Sequence, residues 1–113
     1  MKPIIPSLRE KNRYLVYKVR SNEKVSFNGA KSSLENACLK FMGGLGMARA
    51  GVMIMNEFKN NKGIVKVNNK YLNELHASLL LIEQIEGKKA SVESVGVSGL
   101  LNKARKYFGM EMI

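Results

Sequence analysis

Side chains suited to acid–base or nucleophilic chemistry are few in this sequence and form no recognisable catalytic pattern. The single histidine, His76, and the single cysteine, Cys38, each lie on the apolar stripe of a predicted helix, where packing is the favoured role. All nine acids are glutamates, and Glu83 and Glu86 are spaced as in an exposed helix end rather than a divalent-metal site. We therefore predict no catalytic residue, no bound metal and no cofactor in this chain.

Positive charge is the strongest chemical signal. The 113 residues include 19 Lys and Arg against 9 acids, a formal charge of +10. A small domain with this excess repels itself unless it meets a polyanion, and nucleic acid is the commonest polyanion in cells. The charge predicts a nucleic-acid partner, against the plainer alternative of a basic protein with no dedicated anionic partner.

Most cations fall in predicted loops, termini and helix surfaces, where long side chains reach phosphates without disturbing a core. They lie in an N-terminal arm, at the tip of a hairpin and in a terminal helix, and Lys88 and Lys89 open the last predicted strand. The predicted RNA-contacting residues are Arg9, Lys11, Arg13, Lys59, Lys62, Lys103, Arg105 and Lys106.

The elements that would carry these residues follow from periodicity and turn signals. Residues 1–12 contain Pro3 and Pro6 and are predicted to be a basic arm. A single RNA-binding domain is predicted over residues 13–113, since the length suits one domain. Its predicted elements are a strand at 13–19, a helix beginning with a capping box at Ser32 and ended by Gly43, Gly44 and Gly46, strands at 49–58 and 64–67, a helix at 70–84, a strand at 89–97 and a helix at 99–108.

This order, β-α-β-β-α-β with an added C-terminal helix, predicts an α+β sandwich of the ferredoxin-like or RRM-like type. We expect a four-stranded antiparallel sheet with two helices on one face and the first strand in a central position. No apolar run approaches the roughly 20 residues needed to cross a bilayer. A lone cysteine favours a reducing compartment, so we expect a cytoplasmic protein without membrane contact.

Aromatic residues argue against base-by-base RNA recognition. Single-strand readers of this topology stack bases on aromatics of the central strands, but Ile64, Val65 and Val67 occupy the third strand. Tyr14 and Tyr17 of the first strand point to opposite faces. One would suit stacking and the other the core, while packing of both is equally well supported. Contact with phosphates and the shape of a folded RNA is the better prediction.

Met53 and Met55 lie in a strand that is apolar on both faces. In a sheet covered on one face, adaptable methionines on the other face suit a protein interface. The alternative is that the C-terminal helix folds over this face and buries them.

Two segments carry a family resemblance. Residues 6–14, PSLREKNRY, resemble the P-x-L-R-E-K-x-R-Y opening of the archaeal ribonuclease P protein component 2 family, and residues 96–104, GVSGLLNKA, resemble its G-V-S-G-x-x-x-K-A segment. Residues 46–51, the hairpin and the Leu-rich helix agree in order and spacing. Two positions depart from the pattern: Leu100 stands where Thr is expected, and His76 where Arg is frequent.

The resemblance implies an accessory subunit of the RNA-based endonuclease that removes the 5′ leader from precursor tRNA. Catalysis would belong to the RNA and its magnesium ions, while the protein neutralises phosphates and helps the RNA fold. Implied partners are the ribonuclease P RNA with precursor tRNA, the TIM-barrel-like protein component 3, commonly in a dimer of heterodimers, and the other protein subunits.

Two other interpretations stay open. One is a ribosomal or other structured-RNA scaffold protein of the same topology. The other is a small enzyme or regulatory domain, for example of acylphosphatase type, which needs an arginine-bearing loop after the first strand; Arg20 is the only candidate.

Overall fold

The computed structural model describes residues 11–100 and 103–106. Residues 103–106 form a helical turn at the end of the described chain. The architecture is α+β, as predicted. Its elements in chain order are β1 (Asn12–Ser21), α1 (Phe27–Ala50), β2 (Met53–Lys59), β3 (Lys62–Asn68), a 3₁₀ turn (Asn69–Tyr71), α2 (Leu72–Leu79), β4 (Gln84–Ile85) and β5 (Lys88–Ser98).

The sheet has five strands in the order β2-β3-β1-β5-β4, and all neighbouring pairs are antiparallel. The predicted count of four was wrong because α2 ends at Leu79 rather than continuing to residue 84. The two-residue strand β4 then pairs with the start of β5 through a tight turn, in which Glu86 and Gly87 adopt left-handed φ angles of 56° and 77°. The predicted central position of β1 is confirmed.

The core lies between one sheet face and the two helices. Alternate β1 residues Leu15, Tyr17 and Val19 point into it and are buried, together with Leu34 of α1 and Leu75 of α2. Burying each such side chain contributes roughly 1.5–3 kcal/mol to folding. These contacts fix both helices on a single face and leave the opposite sheet face, here called the open face, for other uses.

Cys38 lies in the same core, which confirms its predicted packing role. Burial raises the pKa of its thiol above the usual value, and a hydrogen bond with Ser78 opposes that shift. A thiol held protonated in this way is a poor nucleophile.

Helix α1 begins earlier than predicted, because its cap comes from far along the chain. Ser26 Oγ accepts the Gly29 N–H at 3.0 Å, as a helix N-cap does. Glu86, from the β4–β5 turn, accepts the Ser26 N–H at 3.0 Å and the Ser26 hydroxyl at 2.9 Å. The predicted start at Ser32 was wrong, since this tertiary cap begins the helix at Phe27.

Gly43 interrupts α1 without ending it. Its φ of 77° and ψ of 167° are not helical, yet the chain resumes a helical path to Ala50 before Gly51 closes it with φ 63°. In one continuous helix, Phe41 and Leu45 follow Leu34 and Cys38 on a single apolar stripe, and both are therefore predicted to be buried. Leu45, after the interruption, is 67% exposed because the phase of the helix changes at Gly43, and Phe41, before it, is 48% exposed. The interruption also moves the start of β2 from the predicted residue 49 to Met53.

The structure describes part of the predicted N-terminal arm and part of the predicted C-terminal helix. The predicted arm ended at residue 12, but the Lys11 carbonyl accepts the Asn69 N–H at 2.7 Å and Asn12 pairs with Asn68, so both belong to the sheet's border. The predicted C-terminal helix is helical at 103–106, whereas Gly99 and Leu100 form a bend. Residues 1–10, 101, 102 and 107–113 lie outside the described part.

Candidate nucleic-acid interface

Strand register aligns three lysines in one row across the open face. Lys59 pairs with Lys62 across the β2–β3 hairpin, and Lys62 pairs with Lys18 of β1. Directly paired residues point to the same face of a sheet, with β-carbons about 4.5–5.5 Å apart. We call Lys59, Lys62 and Lys18 the lysine row.

Lys62, the middle lysine of the row, is buried, although a charged side chain is more stable in water. Lys62 is only 2% exposed, while Lys59 is exposed and Lys18 is half-buried. Burial lowers the pKa of Lys62 below its ordinary value, and the positive charge of Lys18 lowers it further. The backbone register thus places a buried lysine between two others.

Among the residues that the structure describes, one carboxylate is in register with the row. Glu93 of β5 pairs with Lys18, but its Oε1 lies 2.7 Å from Nη2 of Arg20, which is the closer partner. The Arg20 hydrogen bond is the main cause that holds the pKa of Glu93 below its usual range. Arg20, the residue on which an acylphosphatase-type site would depend, is therefore engaged in an ion pair.

The centre of the open face is apolar and carries the helical turn 103–106. Val16 of β1 and Ile64 of β3 are fully buried beneath Ala104. Arg105 anchors the turn by donating from Nε to Glu57 Oε2 at 2.7 Å and from Nη2 to Oε1 at 3.3 Å. Lys103 and Lys106 of the same turn are exposed.

The helical turn 103–106 covers one of the two methionines predicted to form a partner interface and leaves the other exposed. Met55 packs against the Val16, Ile64 and Ala104 cluster and is half-buried, as the alternative interpretation required. Met53 remains 55% exposed. The terminal helix thus accounts for one of the two.

The two tyrosines of β1 divide as their spacing predicted. Tyr17 is fully buried in the core, where its ring lies against Phe58 with centroids 6.4 Å apart. Burial raises the pKa of its hydroxyl above the usual value of 10.0. Tyr14 lies on the open face, half-buried beside the apolar cluster. Tyr17 therefore has no route to a base.

An open cleft of about 1190 Å³ adjoins the lysine row at the end of the sheet. Its lining includes three cations, Lys18, Arg20 and Lys89, and one acid, Glu83. The remaining lining is largely amide and hydroxyl side chains, from Ser21, Asn22, Asn60, Asn61, Gln84 and Ser91. We call this the sheet-end cleft.

The structure places the predicted cations in separate groups. Lys59 and Lys62 come together in the lysine row. Lys103, Arg105 and Lys106 share the helical turn on the open face. Lys11 and Arg13 lie at the opposite end of β1, where Arg13 Nη1 donates to the Asn12 carbonyl at 3.2 Å. Arg9 lies outside the described residues.

The predicted set of RNA contacts left out three cations of the open face, Lys18, Arg20 and Lys66. The available signal was alternation: Lys18 and Arg20 occupy the β1 positions that face away from the buried Tyr17 and Val19. Lys66 repeats this on β3, opposite Tyr14. Cations within these apolar strands were used only to predict the strands, and the charged surface that they form on one face of the sheet was overlooked.

Metal-binding and membrane-spanning features are absent from the part of the chain that the structure describes. There, no three His, Cys, Asp or Glu side chains come together as a metal site. His76 is half-buried on α2, in agreement with a boundary position. No helix of the described ranges is long and apolar enough to span a membrane.

Comparison with known proteins gives consistent matches. The Rpp14/Pop5 family matches residues 13–109. Ribonuclease P protein component 2 of Pyrococcus furiosus is 32% identical over 95% of this chain and 90% of its own length. The protein of the same name from Methanosarcina mazei is 30% identical over 96% of this chain and 92% of its own length.

A solved structure supports the fold independently. A chain of the cryo-EM structure of yeast ribonuclease MRP superposes with a TM-score of 0.64, covering 92% of this chain and 90% of that one, at 14% sequence identity. The sequence match along nearly the whole chain and the resemblance of the two terminal motifs point the same way: this protein belongs to the Rpp14/Pop5 family.

Proposed function

We propose that this chain is a protein subunit of ribonuclease P and helps the RNA subunit to remove the 5′ leader from precursor tRNA. The observation that carries the proposal is the match to the Rpp14/Pop5 family over residues 13–109, with relatives named ribonuclease P protein component 2. The net charge of +10 and the cationic open face supply the physical means.

In this proposal the subunit is not itself a catalyst. Bond breaking belongs to the RNA and to magnesium ions that the RNA holds, while the protein neutralises crowded phosphates and favours the folded RNA. Each phosphate contact displaces condensed counterions, so binding should weaken steeply with salt. The proposed RNA contacts are Arg9, Lys11, Arg13, Lys59, Lys62, Lys103, Arg105 and Lys106.

The proposed assembly contains the ribonuclease P RNA with precursor tRNA, the other protein subunits and the TIM-barrel-like protein component 3 as direct partner, in a dimer of heterodimers. We propose a cytoplasmic setting. The strand order supports a ferredoxin-like fold in which β4 is an added edge strand. The exposed Met53 supports a protein contact beside the helical turn.

Reconstitution tests this function. The chain and component 3 are added to the cognate ribonuclease P RNA, and precursor-tRNA cleavage is measured at moderate magnesium. We expect faster cleavage than with RNA alone and no cleavage when the RNA is omitted. Tight RNA binding without faster cleavage would favour the scaffold-protein alternative instead. Cleavage by the protein without RNA would overturn the non-catalytic assignment.

A further inference from the structure

The sheet-end cleft lies where four segments meet: the end of β1 with the loop after it, the β2–β3 turn, the stretch 82–84, and the start of β5 with the turn before it. We propose that this cleft binds one nucleotide of an unpaired RNA strand, with the phosphate on Arg20 and Lys89 and the ribose against the amides of Asn22 and Gln84. The site rests on the proposed function, which supplies the RNA. It adds these four residues to the proposed RNA contacts.

Strand register places the two cations on one face at a distance that suits a shared phosphate. Arg20 pairs with Ser91 across β1 and β5, and Lys89 lies two residues before Ser91 on the same face. Arg20 and Lys89 are therefore diagonal neighbours, about 7–8 Å apart at the backbone. Both are exposed and both line the cleft. Two long side chains that start this far apart can converge on one phosphate group.

The same register sets a neutral polar group beside the cations. Gln84 of β4 pairs directly with Lys89, so its amide and the Lys89 ammonium project from the same face of the sheet. Asn22, in the loop after β1, is exposed and lines the cleft as well. Amide side chains bind base edges and the ribose 2′-OH, while lysine and arginine bind phosphate. The two kinds of group needed for a nucleotide therefore lie side by side.

Arg20 is held in position and still has donors for a ligand. Its Nη2 lies 2.7 Å from Glu93 Oε1, yet 61% of its side chain is exposed. A guanidinium group has five N–H donors, so one contact with a carboxylate leaves others for a phosphate. The Glu93 contact also fixes the direction of the side chain, which reduces the entropy lost when a phosphate binds.

The size of the cleft agrees with a segment of a chain rather than a free small molecule. Its volume of about 1190 Å³ exceeds the roughly 300–1,000 Å³ of ordinary small-molecule pockets. A nucleotide and part of the backbone on either side of it therefore have room. The lining contains three cations, Lys18, Arg20 and Lys89, against one acid, Glu83, which favours an anionic chain.

Main-chain contacts hold both walls of the cleft. The Asn61 carbonyl accepts the Val19 N–H at 2.7 Å and its Oδ1 accepts the Val25 N–H at 3.2 Å, which fixes the β2–β3 turn. On the other side, the Ala90 N–H donates to the Glu83 carbonyl at 3.0 Å and ties the stretch 82–84 to β5. Because the walls are already ordered, a ligand does not have to supply the free energy to order them.

The test removes the two phosphate-binding side chains at a matched net charge. Arg20→Gln/Lys89→Gln/Glu93→Gln lowers the net charge by one, because it removes two cations and one acid. Lys40→Gln, at an exposed position on α1, lowers it equally and is the control. Affinity of the full-length protein for a short single-stranded oligouridylate is measured between about 50 and 200 mM KCl. Circular dichroism confirms that each variant folds.

Loss of two phosphate contacts with a single strand should lower the log–log salt slope by about 1.4, so the wild-type protein should lose about 7-fold more affinity than the site variant over this range. Lys40→Gln should keep the wild-type slope. Arg20→Lys/Lys89→Arg, which retains both charges, should keep it as well. Equal slopes for the site variant and Lys40→Gln would overturn the proposal.

A second variant tests the ribose contact. Asn22→Ala/Gln84→Ala should leave the salt slope unchanged and weaken oligouridylate binding roughly 2- to 10-fold for each hydrogen bond lost. Binding of the matching oligodeoxyuridylate should change little, since it lacks the 2′-OH. An unchanged ratio of RNA to DNA affinity would overturn the assignment of the ribose to these amides.

The reconstitution separates failure of this site from failure of the proposed function. A wild-type protein that speeds precursor-tRNA cleavage but does not bind oligouridylate would overturn the nucleotide site and leave the function in place. A wild-type protein that binds oligouridylate in the cleft but never speeds cleavage would refute the proposed function and keep the site.

Discussion

Tyr17→Phe should stabilise the protein, although it deletes a polar group that could form a hydrogen bond. The Tyr17 hydroxyl is buried and has no hydrogen-bond partner among the described residues. A buried hydroxyl without a partner costs about 1–3 kcal/mol, because water solvates it in the unfolded chain. Phenylalanine keeps the ring contact with Phe58 and removes that cost.

The expected gain is therefore at least about 1 kcal/mol, and a domain of this size gains about 4 °C in Tm for each kcal/mol. Thermal and urea unfolding followed by circular dichroism measure both quantities. Tyr14→Phe, on the open face, is the matched control and should change stability by less than about 0.5 kcal/mol. RNA affinity of Tyr17→Phe should equal that of the wild-type protein, since Tyr17 faces the helices.

Alkaline pH provides an independent readout. Burial raises the pKa of Tyr17 above its unfolded value of 10.0, so above that pH the unfolded chain loses a proton that the folded chain keeps. Wild-type stability should then fall as pH rises above 10, and Tyr17→Phe should lack this part of the decrease. A lower Tm for Tyr17→Phe, or an unchanged alkaline decrease, would show that the hydroxyl is satisfied and the reasoning wrong.

Two further predictions concern the glycine beneath Tyr17 and the tertiary cap of α1. A β-carbon at Gly63 would overlap the Tyr17 ring, so Gly63→Ala should lower the free energy of unfolding in urea by about 1–3 kcal/mol. At the helical Gly44 a β-carbon would make only an ordinary contact with Leu39 Cδ1 at 4.0 Å, so Gly44→Ala should raise that free energy by about 0.5–1 kcal/mol. Equal effects at the two positions would contradict the packing argument. The Ser26 N–H and hydroxyl lower the pKa of Glu86 in the folded protein. The charged carboxylate therefore contributes its full stabilisation above the ordinary pKa of 4.5 and loses it as the pH falls through the lowered pKa. The difference in unfolding free energy between wild type and Glu86→Gln should shrink over that pH range. A difference independent of pH would show that the charged carboxylate does not hold the cap.

Local pattern predicted much of this fold. Alternation in β1 placed Tyr14 and Tyr17 on opposite faces, and the apolar stripe of α1 placed Cys38 in the core. These features depend on residues that are close in sequence, so the local sequence pattern is sufficient to predict them. The hairpin and the central position of β1 followed from the same reasoning.

What escaped prediction depends on contacts distant in sequence. The start of α1 is set by Glu86, sixty residues after Ser26. The lysine row depends on the register between β1, β2 and β3. The hairpin pairs Lys59 with Lys62, but only the pairing of β3 with β1 places Lys18 beside them. Leu45 was misplaced because a helix with a break at Gly43 has two phases, which a single periodic stripe does not describe.

The open face combines an apolar centre with a margin that carries lysines. Burial lowers the pKa of Lys62 below its ordinary value, and the positive charge of Lys18 lowers it further. The apolar centre beneath Ala104 packs the helical turn onto the sheet, and the lysines lie at its margin. A fold whose core lies on one face of the sheet is thus free to concentrate positive charge on the other.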